Sequence, residues 1–132
     1  MPSYTPPLRD MHFVLHELLH VCEEFKQLPA HAELDQQTIG AVLEEGGKFA
    51  SEVLFPLNQI GDQQGCTLNH ETHAVKTPDG FKEAFAAFAK GGWTALSCDP
   101  EYGGQGLPIV LNRCVTGLRL IYSTPGPMLQ KT

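Results

Sequence analysis

The stretch Ser97-Cys98-Asp99-Pro100-Glu101-Tyr102-Gly103-Gly104-Gln105-Gly106-Leu107-Pro108 concentrates the residues most able to shape a site. Its glycines let the backbone turn sharply and let another group come close, while the flanking prolines fix φ and suit the first turn of a helix. From the residues alone, two roles are open. One is a tight turn between two packed elements, since an apolar run (Trp93-Thr94-Ala95-Leu96) enters the loop and another leaves it from Leu107. The other is a phosphate cradle. That role is the weaker, because the loop lacks the Lys-Ser/Thr of a P-loop and the full Gly-x-Gly-x-x-Gly spacing after a strand.

Histidine and cysteine are the other chemistry-bearing types. His12, His16 and His20 fall at i, i+4 and i+8, on one face of a helix. Such a stripe suits a metal or a pH sensor, but three ligands spread over about 12 Å of straight helix cannot meet one ion. A partly exposed polar edge is the favoured reading. His70, Glu71 and His73 do not follow a known ligand spacing, so no metal site is expected. Cys22, Cys66, Cys98 and Cys114 form no Cys-x-x-Cys pair and read as reduced packing thiols.

Helical periodicity supplies the elements that must position these groups. After an extended arm over residues 1–9, with Tyr4 as an anchor, Asp10 is expected to cap a helix running to about Leu28, ended by Pro29. Its face of Val14, Leu15, Leu18 and Cys22 is expected to pack on a second, longer helix. That helix, from Thr38 to Ile60, has Asp35 placed to cap it; Gly46-Gly47 mark close helix approach, and Pro56 marks a kink or a new start. Residues 63–79 read as a polar connection in which Cys66-Thr67-Leu68 and Ala74-Val75-Lys76-Thr77 pair briefly. Asp79 is then expected to cap a helix from Phe81 to Lys90, with the Phe81, Phe85 and Phe88 stripe directed into the core and Gly91-Gly92 as its left-handed stop. A last helix runs from Leu107 to about Ile121. The fold class is all-α, an irregular antiparallel helical bundle.

Composition narrows the function classes. At 132 residues the chain suits one domain, and no apolar run reaches the roughly 18 residues of a membrane span. Residues 1–101 carry all 15 acidic residues against six basic ones, whereas residues 102–132 carry three basic residues only. The acidic body argues against nucleic acid as a partner. The first residues lack the basic flank and apolar core of a secretory signal, so a cytoplasmic address is expected.

The string Gly91-Gly92-Trp93 … Pro100-Glu101-Tyr102-Gly103-Gly104-Gln105-Gly106-Leu107-Pro108 resembles the N-terminal helical domain of the acyl-CoA dehydrogenase family, where such a segment links two helices near the acyl-substrate cavity. Pro56-Leu57-Asn58 and Gly61-Asp62 resemble the end of a long helix in that domain, and residues 2–17 resemble an N-terminal extension of the methylthiopropanoyl-CoA dehydrogenase-like branch. The resemblance covers residues 2–108 and lapses after them. It divides the chain into the arm 1–9, the helical domain 10–121 and a divergent tail 122–132. It implies the N-terminal domain of a FAD-dependent oxidoreductase of fatty acid metabolism that forms an α,β double bond in an acyl-CoA thioester and passes electrons to electron-transfer flavoprotein. The family's catalytic glutamate and main flavin contacts lie in domains with no counterpart here. No catalytic, cofactor-binding or metal residue is therefore expected on this chain, and no FAD. What the resemblance places here is an edge of the substrate pocket at Tyr102, Gly103, Gly104, Leu107 and Leu111. The alternative is a non-enzymatic helical module for self-association or interaction. In either case a homo-oligomer is expected, held by apolar surface to which Leu118, Leu120, Ile121, Met128 and Leu129 could contribute.

Overall fold

The structure, a computed structural model, describes residues 4–123, with side chains through Leu118. The tail from residue 124, with Met128 and Leu129, the Leu120 and Ile121 side chains, and residues 1–3 of the arm lie outside the described residues.

The chain is helical apart from one small hairpin. Its first helix, α1 (Leu8–His12), continues as a π-helical turn over Phe13–Leu18, and α2 (Val21–Lys26) follows. The central helix α3 (Gln36–Phe49) passes through a second π-helical segment, Ala50–Leu54, into α4 (Phe55–Gln64). Strands β1 (Thr67–Leu68) and β2 (Val75–Lys76) pair antiparallel, Thr67 opposite Lys76 and Leu68 opposite Val75. Then come α5 (Phe81–Lys90), two short 3₁₀ turns (Trp93–Ala95 and Pro100–Tyr102) and α6 (Ile109–Ser123).

The first helix differs from its sequence reading. It starts at Leu8 rather than after Asp10, with no side chain capping it, and it is not continuous to Leu28. The Leu19 amide donates to the Val14 carbonyl (2.9 Å), five residues back, and His20 turns left-handed at φ 48°. A π turn accommodates one extra residue, so the α-helical stripe before it and the one after it no longer fall on the same face. The break re-phases the chain. Leu15, Val21 and Phe25 are buried and Cys22 packs beside them, whereas Leu18 is 63% exposed and Val14 also faces out. The same break takes His20 off the face shared by His12 and His16.

The second helix follows its pattern closely. Asp35 caps α3, its Oδ1 accepting from the Thr38 amide at 2.7 Å, and that bond holds the carboxyl below its ordinary pKa. Ile39, Leu43 and Ala50 on this helix meet Leu111, Val115 and Leu118 of α6 in the core. Gly46 makes the approach possible, because a Cβ there would already lie 3.4 Å from Val115 Cγ2 and 3.6 Å from Leu118 Cδ1. Leu118 thus belongs to its own subunit's core rather than to an outward-facing tail. Pro56 falls in the first turn of α4, just beyond the π segment, where a missing N–H costs little. The arm is tied down as well: Tyr4 stacks on Phe55 with ring centroids 6.3 Å apart, and Pro6 lies over Gly47.

Candidate functional site

Two features are built well enough to act as a site, the glycine loop and an apolar cleft between α4 and α5.

The loop is a closed backbone knot. Gly92 ends α5 in the left-handed conformation, φ 77°. The chain then doubles back so that the Gln105 amide donates to the Ala95 carbonyl (3.0 Å), Gly106 to Cys98 (2.9 Å) and Leu107 to Leu96 (3.0 Å). Within the turn, Tyr102 and Gly104 donate to the Asp99 carbonyl and Gly103 to Pro100, all at 3.0 Å, while Glu101 donates to Asp99 Oδ1 at 2.8 Å. Seven consecutive amides, from Glu101 to Leu107, are therefore consumed by the loop itself. A phosphate cradle needs free amides pointing at the anion; the run of amides from Glu101 to Leu107, which carries all three glycines of the loop, supplies none. Its glycines serve its own closure. Gly103 is left-handed at φ 82°, and a Cβ on Gly104 would overlap the Cys98 carbonyl. Asn112 Nδ2 donates to Ser97 Oγ at 3.0 Å and ties α6 to the loop.

The five residues assigned by resemblance to a pocket edge fall in and just after this loop, at different depths. Tyr102 stands out at the tip, 84% exposed, with Gly103 beside it. Gly104 is pressed against Cys98, Leu107 packs on the core, and Leu111 is wholly buried against α3. None of the five lines the apolar cleft.

That cleft measures about 390 Å³ and is walled by Leu54, Leu57, Asn58 and Gly61 on the α4 side and by Phe81, Ala84, Phe85 and Phe88 on the α5 side. Asp62 is the single charged residue on its lining. The end of α4 is clamped to the start of α5 by two hydrogen bonds. The Asp79 amide donates to Gln64 Oε1 (2.9 Å), and Gln64 Nε2 donates to Asp79 Oδ2 (3.2 Å). Asp79 therefore does not cap α5, as the sequence suggested; Gly80, left-handed at φ 83°, occupies the cap position, and the carboxylate is held by the clamp. The aromatic stripe of α5 is also split. Phe88 is buried and tilts against Phe49 (centroids 5.8 Å), but Phe85 is 66% exposed at the cleft mouth and Phe81 lies at its edge. A stripe of aromatics at helical spacing was legible; that no described element covers half of it was not.

The remaining chemistry is modest. His12 and His16 stack at 5.5 Å, and His16 Nδ1 lies 3.8 Å from Cys22 Sγ. Burial, and secondarily the charge of His12, hold the His16 pKa below the usual imidazole value. Burial pushes the Cys114 thiol up. His70, Glu71 and His73 sit on the exposed hairpin turn, which Asn69 organises by accepting from the Glu71 and Thr72 amides. Among the described residues no three His, Cys, Asp or Glu side chains gather as metal ligands, and no helix is long and apolar enough to cross a membrane.

No family model matches the chain. Curated proteins do. The chain is 37% identical over 114 residues to a 3-methylmercaptopropionyl-CoA dehydrogenase of Ruegeria pomeroyi, a match covering 86% of this chain and 19% of that enzyme. It is 27% identical over 108 residues to a broad-specificity linear acyl-CoA dehydrogenase of Mycobacterium tuberculosis, and 28% identical over 114 residues to a butyryl-CoA dehydrogenase of Syntrophomonas wolfei. Each of these matches covers 82% of this chain and 18% of the relative. The chain thus resembles acyl-CoA dehydrogenases over most of its own length and spans about a fifth of theirs.

Proposed function

We propose that this chain is the helical N-terminal unit of a FAD-dependent acyl-CoA dehydrogenase, acting in the cytoplasm. The observation that carries the reading is the 114-residue similarity to the Ruegeria enzyme, which at that length necessarily includes the glycine loop, wherever in the chain it begins. In the complete enzyme the unit forms one wall of the acyl-CoA cavity and contributes subunit contacts. Tyr102, Gly103, Gly104 and Leu107 lie at the pocket edge, with Leu111 fixing α6 behind them. The substrate is an acyl-CoA thioester, and electrons leave to electron-transfer flavoprotein.

The described residues do not fit a flavin. A dinucleotide needs amides or cations for its pyrophosphate. The loop amides are committed to their own backbone, and no Lys or Arg lines the α4–α5 cleft. The catalytic base, the flavin contacts and the hydride chemistry are accordingly assigned to the parts of the enzyme that these residues do not include. Binding one wall of the thioester is the role left to this chain.

The test is a chimera in which this chain replaces the matching fifth of the Ruegeria enzyme. Retained FAD and acyl-CoA-dependent dye reduction are expected, whereas the chain by itself is expected to purify colourless and inactive. A chimera that folds and binds FAD but does not turn over acyl-CoA would overturn the reading, as would flavin bound to the chain alone. One observation favours a second reading, a helical association module: Phe13, Leu18 and Leu19 project together from one short stretch as exposed apolar side chains.

A further inference from the structure

His12, His16 and Cys22 have no part in the proposed acyl-CoA wall, yet the fold brings them together. His16 Nδ1 lies 3.8 Å from Cys22 Sγ, and the His12 ring stacks on that of His16 with centroids 5.5 Å apart. Six residues of unbroken α-helix would separate His16 and Cys22 by about 9 Å along the axis and set them on different faces. The π turn over Phe13–Leu18 and the left-handed His20 instead fold the chain so that the two donor atoms meet. Both side chains are supported. Cys22 packs on the core cluster, and His12, stacked on the His16 ring, lies over Gly40, where a Cβ would be 3.3 Å from His12 Cε1. His16 Nε2 is enclosed and has no hydrogen-bond partner, so Nδ1 is the ring nitrogen that faces the sulfur.

A thiolate and a neutral imidazole are donors that suit soft metal ions. At bonds of roughly 2 Å, two donors in line across an ion sit about 4 Å apart, and two donors on a tetrahedral ion about 3.6 Å apart. The 3.8 Å observed is a small side-chain movement from either. Ligand number decides between them. Zinc takes four protein ligands, or three with an open position, and calcium and magnesium take oxygens. Among the described residues no group of three His, Cys, Asp or Glu side chains forms, so His12 supports the pair without completing a zinc set. Copper(I), with its filled d shell and preference for thiolate, is satisfied by two donors in line.

We propose that His16 Nδ1 and Cys22 Sγ form a two-coordinate site for copper(I). On binding, Cys22 releases its thiol proton to solvent as the sulfur–copper bond forms. His16 ligates as the neutral ring with its proton on Nε2, and the ion is neither oxidised nor reduced. The site goes beyond the dehydrogenase reading and does not depend on it, because both donors and their supports belong to this chain.

The test titrates the 132-residue chain with copper(I), kept reduced and free of oxygen, against a colorimetric copper(I) chelator. One tightly held copper(I) per chain is expected, with a shift of the His16 ring nitrogens in ¹⁵N spectra. Cys22 should be protected from iodoacetamide while the exposed Cys66 and Cys98 still react. Cys22→Ser and His16→Gln should each weaken binding by on the order of 100-fold, the gain that a second tethered donor supplies. Cys66→Ser should leave it unchanged. Should a variant unfold, the protection pattern and the ¹⁵N shifts of the parent chain decide. The proposal is overturned if copper(I) protects Cys66 or Cys98 before Cys22, or if His16→Gln binds as tightly as the parent, since a thiol alone would then hold the ion. It is also overturned if zinc protects Cys22 as well as copper(I) does, or if the ion is held only between two chains.

Discussion

Gly103 and Gly104 are neighbours, yet a side chain offends at each for a different reason. Gly103 faces open space, and its demand is conformational: at φ 82° an alanine pays for a backbone region it rarely visits. Gly104 has no positive φ, but a Cβ there would run into the Cys98 carbonyl, which itself accepts the Gly106 amide and cannot withdraw freely. Gly103→Ala should therefore cost about 1 kcal/mol and Gly104→Ala more, about 2–3 kcal/mol, with denaturant titration measuring both. Equal costs would mean that the loop relaxes around Gly104. His16 makes a prediction of the opposite kind, one of pH. Its folded pKa lies below the unfolded value, so the unfolded chain takes up the proton first as pH falls through about 6.5, and stability drops there. Above that range the contribution is fully present. In His16→Asn the loss of melting temperature on acidification through this window should be smaller than in the parent chain, the other histidines being common to both.

At the scale of elements, the π turn after α1 decides which leucine matters. Leu15 is 2% exposed within the cluster of Val21, Phe25, Ile39, Leu43 and Leu111, whereas Leu18, one α-helical turn on, is solvated. Leu15→Ala should cost about 2–5 kcal/mol, and Leu18→Ala no more than about 0.5 kcal/mol. A strict 3.6-residue reading treats the two as equivalent, so thermal melts of both variants separate a continuous helix from the interrupted one. The second π segment, Ala50–Leu54, has a gentler effect. It joins α3 to α4 without a break, and Pro56 follows it in the first turn of α4.

For the molecule as a whole, what matters is the apolar surface that the described residues leave open. Phe13, Leu18 and Leu19 project from the first helical segment, and Phe85 stands at the mouth of the cleft on α5. At roughly 25 cal/mol per Å², these side chains can form the apolar centre of an interface, with the polar surface around them completing the roughly 1,200–2,000 Å² that a stable one buries in total. Light scattering at micromolar concentration should report a dimer or larger species. The combination Leu18→Asp with Leu19→Asp should return it to monomer without unfolding it, and Phe85→Asp should not. A clean monomer in the parent chain would exclude the association.

Several features were determined by the sequence alone because they depend on neighbours along the chain. The Asp35 cap, the left-handed stop at Gly92, the hairpin near Leu68 and Val75 and the α3 and α6 stripes are of this kind. Their causes lie within a few residues: a carboxylate three positions from an amide, a glycine where φ must be positive, apolar side chains four apart. The loop motif likewise pointed to acyl-CoA dehydrogenases, and the similarity over more than four fifths of the chain agrees with it. What only the tertiary structure decided is where a pattern meets a partner. No spacing rule forecasts that the chain after Val14 winds into a π turn and re-phases its leucines, because that choice is settled by the fit of Leu15, Val21 and Phe25 against α3 and α6. Nor could the Phe81, Phe85 and Phe88 stripe reveal that it forms the wall of a cleft. Periodicity reports which side chains share a face, and burial depends on whether another element arrives to cover it. Asp79 shows the same limit at short range: its place before α5 marked it as a cap, but Gln64, fifteen residues back, made the better pair of hydrogen bonds.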